Sequence, residues 1–133
     1  MLYEVSASEV RPLPAGCVAE YAELTNRTIK RVEFSNDKAT FIITLSDDTV
    51  YSVCHAQEDI EVVSFRHISY DYRNTLCGAR LDSVSLHICP VNTPVRGTWS
   101  CLYLNTNKGQ VMAHWYGTGD GTSSESVDLY RLK

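Results

Sequence analysis

The chain has 133 residues, 44% of them hydrophobic and 21% charged, and its formal net charge is −4. That length suits one domain with a real core, and so unbiased a composition argues against a disordered chain. The acidic balance argues against a DNA-coating or membrane-surface role, which needs a positive field, but a small anion needs only a few local arginines.

Taken in order, residues 2–5 are apolar, and Pro12 and Pro14 then interrupt regular structure. Residues 1–14 therefore read as an N-terminal arm or edge strand leading into the domain. The N-terminus lacks a basic start followed by a long apolar segment, and no run nears the roughly 18–20 apolar residues of a membrane span. A soluble, unexported protein is expected. Cys17, Cys54, Cys77, Cys89 and Cys101 are odd in number, scattered, and never form a C-x-x-C pair. They read as reduced cysteines buried as small hydrophobes. Residues 16–25 are the best helix candidate, with Val18, Tyr21, Ala22 and Leu24 as a short apolar stripe.

From residue 28 strands dominate. Alternation over residues 29–34, 39–45 and 49–55, with turns between, predicts an antiparallel meander. Residues 59–66 read as a fourth strand, and residues 67–80 as a helical turn ending before Gly78. Residues 81–89 alternate again, residues 90–97 are a loop by composition, and residues 99–104 lead into the C-terminal stretch. That stretch, GQVMAHWYGTGDGTSSESVDLYRLK, holds two alternating runs. Val111, Ala113 and Trp115 share one face, while Met112, His114 and Tyr116 share the other. A glycine-rich loop around Asp120 and Gly121 suggests that the two runs form an antiparallel hairpin. The expected fold is mainly β: about eight strands in an antiparallel sheet closing into a small barrel or a two-layer sandwich, with one or two short helices.

Chemistry is sparse. The four histidines and five cysteines show no metal-ligand spacing, since Cys54 and His55 should face opposite sides of a strand, and no metal or cofactor is expected. No G-x-S-x-G elbow surrounds Ser123, Ser124 or Ser126, and no histidine is placed by sequence to activate them, so no catalytic residue is assigned. Anion binding has more support. The loop of residues 117–124 can turn backbone N–H groups and hydroxyls toward a phosphate, although a tight hairpin turn that wants glycine for positive φ is the simpler explanation. Arg66, Arg73 and Arg80, interleaved with Tyr70 and Tyr72, have the makings of a clamp for phosphates with a stacked base. His55 and Gln57 end the third strand, where sites often lie.

Two stretches carry a resemblance. VEFSNDKATFIITLSDDTVYSVCHAQEDIE and GQVMAHWYGTGDGTSSESVDLYRL are similar to the opening and the ending of a family of short bacteriophage and prophage proteins that share a β domain of unknown function. The resemblance covers residues 28–133 and marks Tyr51, His55, Gln57, Trp115, Tyr116, Gly117, Gly121, Ser124, Glu125 and Ser126 as family-type positions. This chain differs from the family after His-x-Gln, where it has Glu58, Asp59, Ile60 and Glu61. The resemblance implies a phage origin and a small β fold but no established reaction; the expected location is the cytoplasm of the infected bacterial host.

By analogy of size and source, small phage proteins of this kind include homo-oligomeric sponges that trap cyclic-nucleotide or ADP-ribose-derived immune signals. The leading expectation is such a non-enzymatic, anti-defence binder. Arg66, Arg73 and Arg80 would hold phosphates in a single hollow, and Tyr70, Tyr72 or Tyr116 would stack on a base. His55, Gln57, Ser124 and Ser126 would read polar groups. A protein-binding module docking through a sheet edge is the alternative, and a signal-cleaving enzyme is the third reading.

Overall fold

Nine strands make two sheets in the computed structural model, which describes residues 4–5, 18–35, 39–57, 60–92, 96–119 and 123–132. The first sheet holds β1 (Glu4–Val5), β2 (Ile29–Ser35), β3 (Phe41–Leu45), β4 (Val50–Cys54) and β9 (Asp128–Arg131), in that spatial order. The second holds β5 (Val62–Ile68), β8 (Gly109–Thr118), β7 (Gly97–Thr106) and β6 (Leu81–Val91), also in that order. All pairings are antiparallel except the two-residue β1, which runs parallel to β2. An isolated bridge between Thr28 and Arg80 joins the sheets at one corner. Among the described residues no ladder closes a barrel, and the two sheets make a sandwich-like fold.

The inner faces meet in one core. Phe34, Phe41, Ile43, Val53 and Leu129 come from the first sheet, and Leu102, Leu104, Val111, Ala113 and Trp115 from the second. Each such side chain contributes on the order of 1.5–3 kcal/mol through burial, less for alanine. Phe34 sits at the aromatic centre, 4.9 Å from Phe41 and 4.6 Å from Phe65 between ring centroids. Trp115 is fully buried, and its indole Nε1 donates to the carbonyl of Ala39 at 2.8 Å. In β8 the alternation read from sequence holds: Val111, Ala113 and Trp115 are buried, and Met112, His114 and Tyr116 half-buried on the outer face.

Three expectations are corrected. The two C-terminal runs do not pair with each other: β8 lies between β5 and β7, whereas β9 crosses to the first sheet and pairs with β4. Within residues 16–25 the only helix among the described residues is the 3-10 turn Tyr21–Leu24, preceded by a bridge from Val18 to Tyr130. The loop expected at residues 90–97 begins later, because β6 continues through Pro90 to Val91; a proline is tolerated there on an edge strand. The helical turn before Gly78 is α1 (Tyr72–Leu76). Of the N-terminal arm, only β1 lies within the described residues. Asp120 and Gly121 lie outside them. No helix among the described residues is long and apolar enough to cross a membrane.

Candidate functional site

At one end of the sandwich the chain changes sheets twice. Residues 55–61 carry it from β4 to β5, and residues 119–127 from β8 to β9. His55 ties the two crossings together. Its Nδ1 lies 2.8 Å from the carbonyl oxygen of Ser126, and its Nε2 lies 2.6 Å from Oε2 of Glu61. A carbonyl only accepts, so Nδ1 carries a hydrogen; Nε2 and the Glu61 carboxyl then share the remaining proton. Both side chains are almost wholly buried, at 7% and 2% exposure. Gln57 Nε2 donates to the backbone oxygen of Glu61 at 2.6 Å.

A second buried carboxylate completes this knot. Glu125 accepts from Arg96 at 2.5 Å and from the hydroxyl of Thr98 at 3.1 Å. Its backbone presses on Gly117, where any Cβ would collide with the Glu125 carbonyl, and this explains the glycine after Trp115 and Tyr116. Ser124 and Ser126 hydroxyls are 3.1 Å apart beside it. The knot borders a cavity of about 230 Å³ lined by Ala39, Thr40, Cys54, His55, Gln57 and Val63. Cys54 and His55 thus face the same space, contrary to the alternation argument, because β4 ends at Cys54 and His55 is no longer in the pleat.

The outer face of the four-stranded sheet is different in kind. Tyr116 lies 4.8 Å from Trp99, centroid to centroid, and the Arg66 guanidinium stands 5.6 Å above the Tyr116 ring. Gly97 allows this: a Cβ there would run into the Tyr116 phenol, so the ring lies flat across the strand start. A bulge sets the rest. Phe65 pairs with Trp115, but His67 rather than Arg66 pairs with His114, so one residue of β5 is extra. The extra residue lets Arg66 reach Tyr116 and swings His67 opposite His114 on the same face. Burial, and next the proximity of His67, lower the pKa of His114. Burial first and Cys89 second raise that of Cys101, the next residue in the same row.

No protein-family model, curated protein or solved structure matches this chain. Any binding role must therefore be read from its own side chains, and the described residues do not form the expected single hollow of arginines. Arg66 lies on β5 and Arg80 just before β6, the two opposite edges of one sheet, and Arg80 pairs with Asp82 at 3.2 Å. Arg73 stands over the Tyr72 ring and lines an open cleft of about 370 Å³ with Arg31, Val32 and Glu33. Tyr72 is 1% exposed and packs edge-on against Phe34 in the core, so its ring is closed to a base. Tyr70 is 97% exposed with no neighbouring aromatic ring among the described residues. His55, Gln57, Ser124 and Ser126 do come together, but in the knot, not beside Arg66.

Sequence reasoning missed Glu61, Arg96 and Thr98 in the knot, and Trp99, His67 and His114 on the outer face. Glu61 had a signal, an acid inside an apolar strand run, and Trp99 had one as an aromatic out of phase with the core face. Arg96, in a proline-rich loop, had none.

Proposed function

We propose that the protein binds a nucleotide-type ligand, without cleaving it, on the outer face of its four-stranded sheet. One observation carries this reading. In a chain of net charge −4, Arg66 is exposed and lies over an aromatic pair, and among the described residues no carboxylate neutralises it. The contrast is with Arg27, Lys30, Arg31, Arg80 and Arg96, each held by an Asp or Glu at 2.5–3.2 Å. A guanidinium beside Tyr116 and Trp99 supplies a phosphate donor and a stacking surface together. His55 has both ring nitrogens engaged inside the fold, which supports sequestration over hydrolysis.

In this reading the protein is a phage anti-defence sponge acting in the infected host's cytoplasm. A second copy seated over the face would enclose the guest, as a homo-oligomeric sponge requires. Calorimetric titration with ADP-ribose and with a cyclic dinucleotide tests it, followed by mass spectrometry of the ligand released on denaturation. Binding with intact recovery is expected; absence of heat with both probes, or recovery of cleavage products, would overturn it.

A second reading has its own observation. Edge strand β6 runs for 11 residues, has β7 as its one partner strand among the described residues, and bears no Asp, Glu, Lys or Arg from residue 83 to residue 91. Such an edge is a template for strand addition by a protein partner, possible only if that partner is extended there. Amide hydrogen exchange slowed along β6 by a captured host protein, in a chain that takes up no nucleotide, would favour this reading.

A further inference from the structure

The bulge in β5 brings together two imidazoles that lie 47 residues apart in sequence and take no part in the proposed nucleotide contacts. His67 and His114 are directly paired across β5 and β8, with ring centroids 5.8 Å apart. Two imidazoles bound to one tetrahedral ion at about 2.0–2.1 Å place their centroids about 5–6 Å apart, so the pair stands at chelating distance. Nε2 of His114 is shielded from solvent and has no hydrogen-bond partner among the described residues. A buried polar atom without a partner is costly and asks for a reason. His67, by contrast, is exposed and free to turn its ring. Trp99 flanks His114 edge-on at 6.4 Å and walls one side of the pair.

We infer that His67 and His114 form a two-imidazole site for a borderline divalent transition ion such as Zn²⁺. Neutral imidazole is a ligand suited to zinc, copper and nickel, and a compact chelating pair needs only a lone pair from each ring. Among the described residues no three His, Cys, Asp or Glu side chains form a ready cage. The ion therefore takes two protein ligands and fills its other positions with water or a small anion. His87, on the same face, is excluded from the pair by its place on β6, edge-on against Tyr103 at 5.0 Å.

The site does not depend on nucleotide binding, and its test needs no nucleotide. Zn²⁺ alone is titrated into the full chain by calorimetry while the histidine ring signals are followed by NMR. One ion per chain is expected, with the His67 and His114 signals moving first. His67→Ala, on an exposed position, should keep the fold and lose at least about tenfold in affinity, a loss that removal of even an outer-shell partner causes in metal sites. His87→Ala should bind as the parent does. No Zn²⁺ uptake by the parent, or undiminished uptake by His67→Ala, would overturn the inference.

Discussion

The end where the chain changes sheets and the outer face of the four-stranded sheet are both rich in polar side chains, yet they spend them differently. In the knot, His55, Glu61, Glu125, Arg96 and Thr98 all find partners within the chain, and the two carboxylates are buried. On the outer face, among the described residues, Arg66 has a ring and no carboxylate beside it, and His114 has a nitrogen with no hydrogen-bond partner. A satisfied buried network holds a fold; unsatisfied groups on a half-exposed aromatic surface are available to a guest. In the proposed reading, stability belongs to the first region and binding to the second.

The comparison breaks most visibly at the knot. Glu61→Ala leaves the His55 Nε2 buried without its carboxylate and loosens the imidazole that reaches across to Ser126, so a loss of about 3 kcal/mol is expected in denaturant unfolding. If stability holds within experimental error, the knot is not what joins the sheets. On the face the pattern reverses. Arg66→Ala should leave unfolding within about 0.5 kcal/mol of the parent. Its affinity for ADP-ribose or a cyclic dinucleotide should fall about tenfold or more, the cost of a charge-assisted hydrogen bond. Unchanged affinity would remove Arg66 from the site.

The smallest effect appears at high pH. Burial is the main cause raising the pKa values of Tyr21 and Tyr51, the latter also donating to Glu23 at 3.1 Å. A phenol whose folded pKa is raised contributes stability that is fully present below its unfolded value of about 10 and is lost as pH climbs through the folded value. The Tyr21 hydroxyl is buried with no hydrogen-bond partner among the described residues, so Tyr21→Phe should cost nothing at neutral pH. Above about pH 10 it should outlast the parent. An alkaline unfolding profile identical to the parent's would contradict the assignment.

Much of the fold was legible because burial imposes a period of two on strands. The β8 pattern, the meander of β2, β3 and β4, and the turn before Gly78 followed from it. The false hairpin shows the limit. Two alternating runs around a glycine-rich loop look alike whether the strands pair together or part company. Here the nine-residue linker at 119–127 passes from one sheet to the other, longer than the tight loops that hairpins favour. The single hollow failed for a related reason: Arg66, Arg73 and Arg80 are close in sequence, but an edge strand, a helix and the opposite edge strand carry them apart. His67 against His114 was invisible, because a one-residue bulge leaves no mark in the hydrophobic pattern. The knot was half legible: the motif positions His55, Gln57, Glu125 and Ser126 stood out by resemblance, and their partners Glu61, Arg96 and Thr98 did not.

The chain has one tryptophan in each setting, Trp99 on the open face and Trp115 sealed in the core. Tryptophan emission during titration with ADP-ribose and with a cyclic dinucleotide therefore reports which region receives the guest. Binding on the face predicts quenching in the parent and in Trp115→Phe, and a flat signal in Trp99→Phe. Quenching that survives Trp99→Phe, or no response from any of the three, would contradict it.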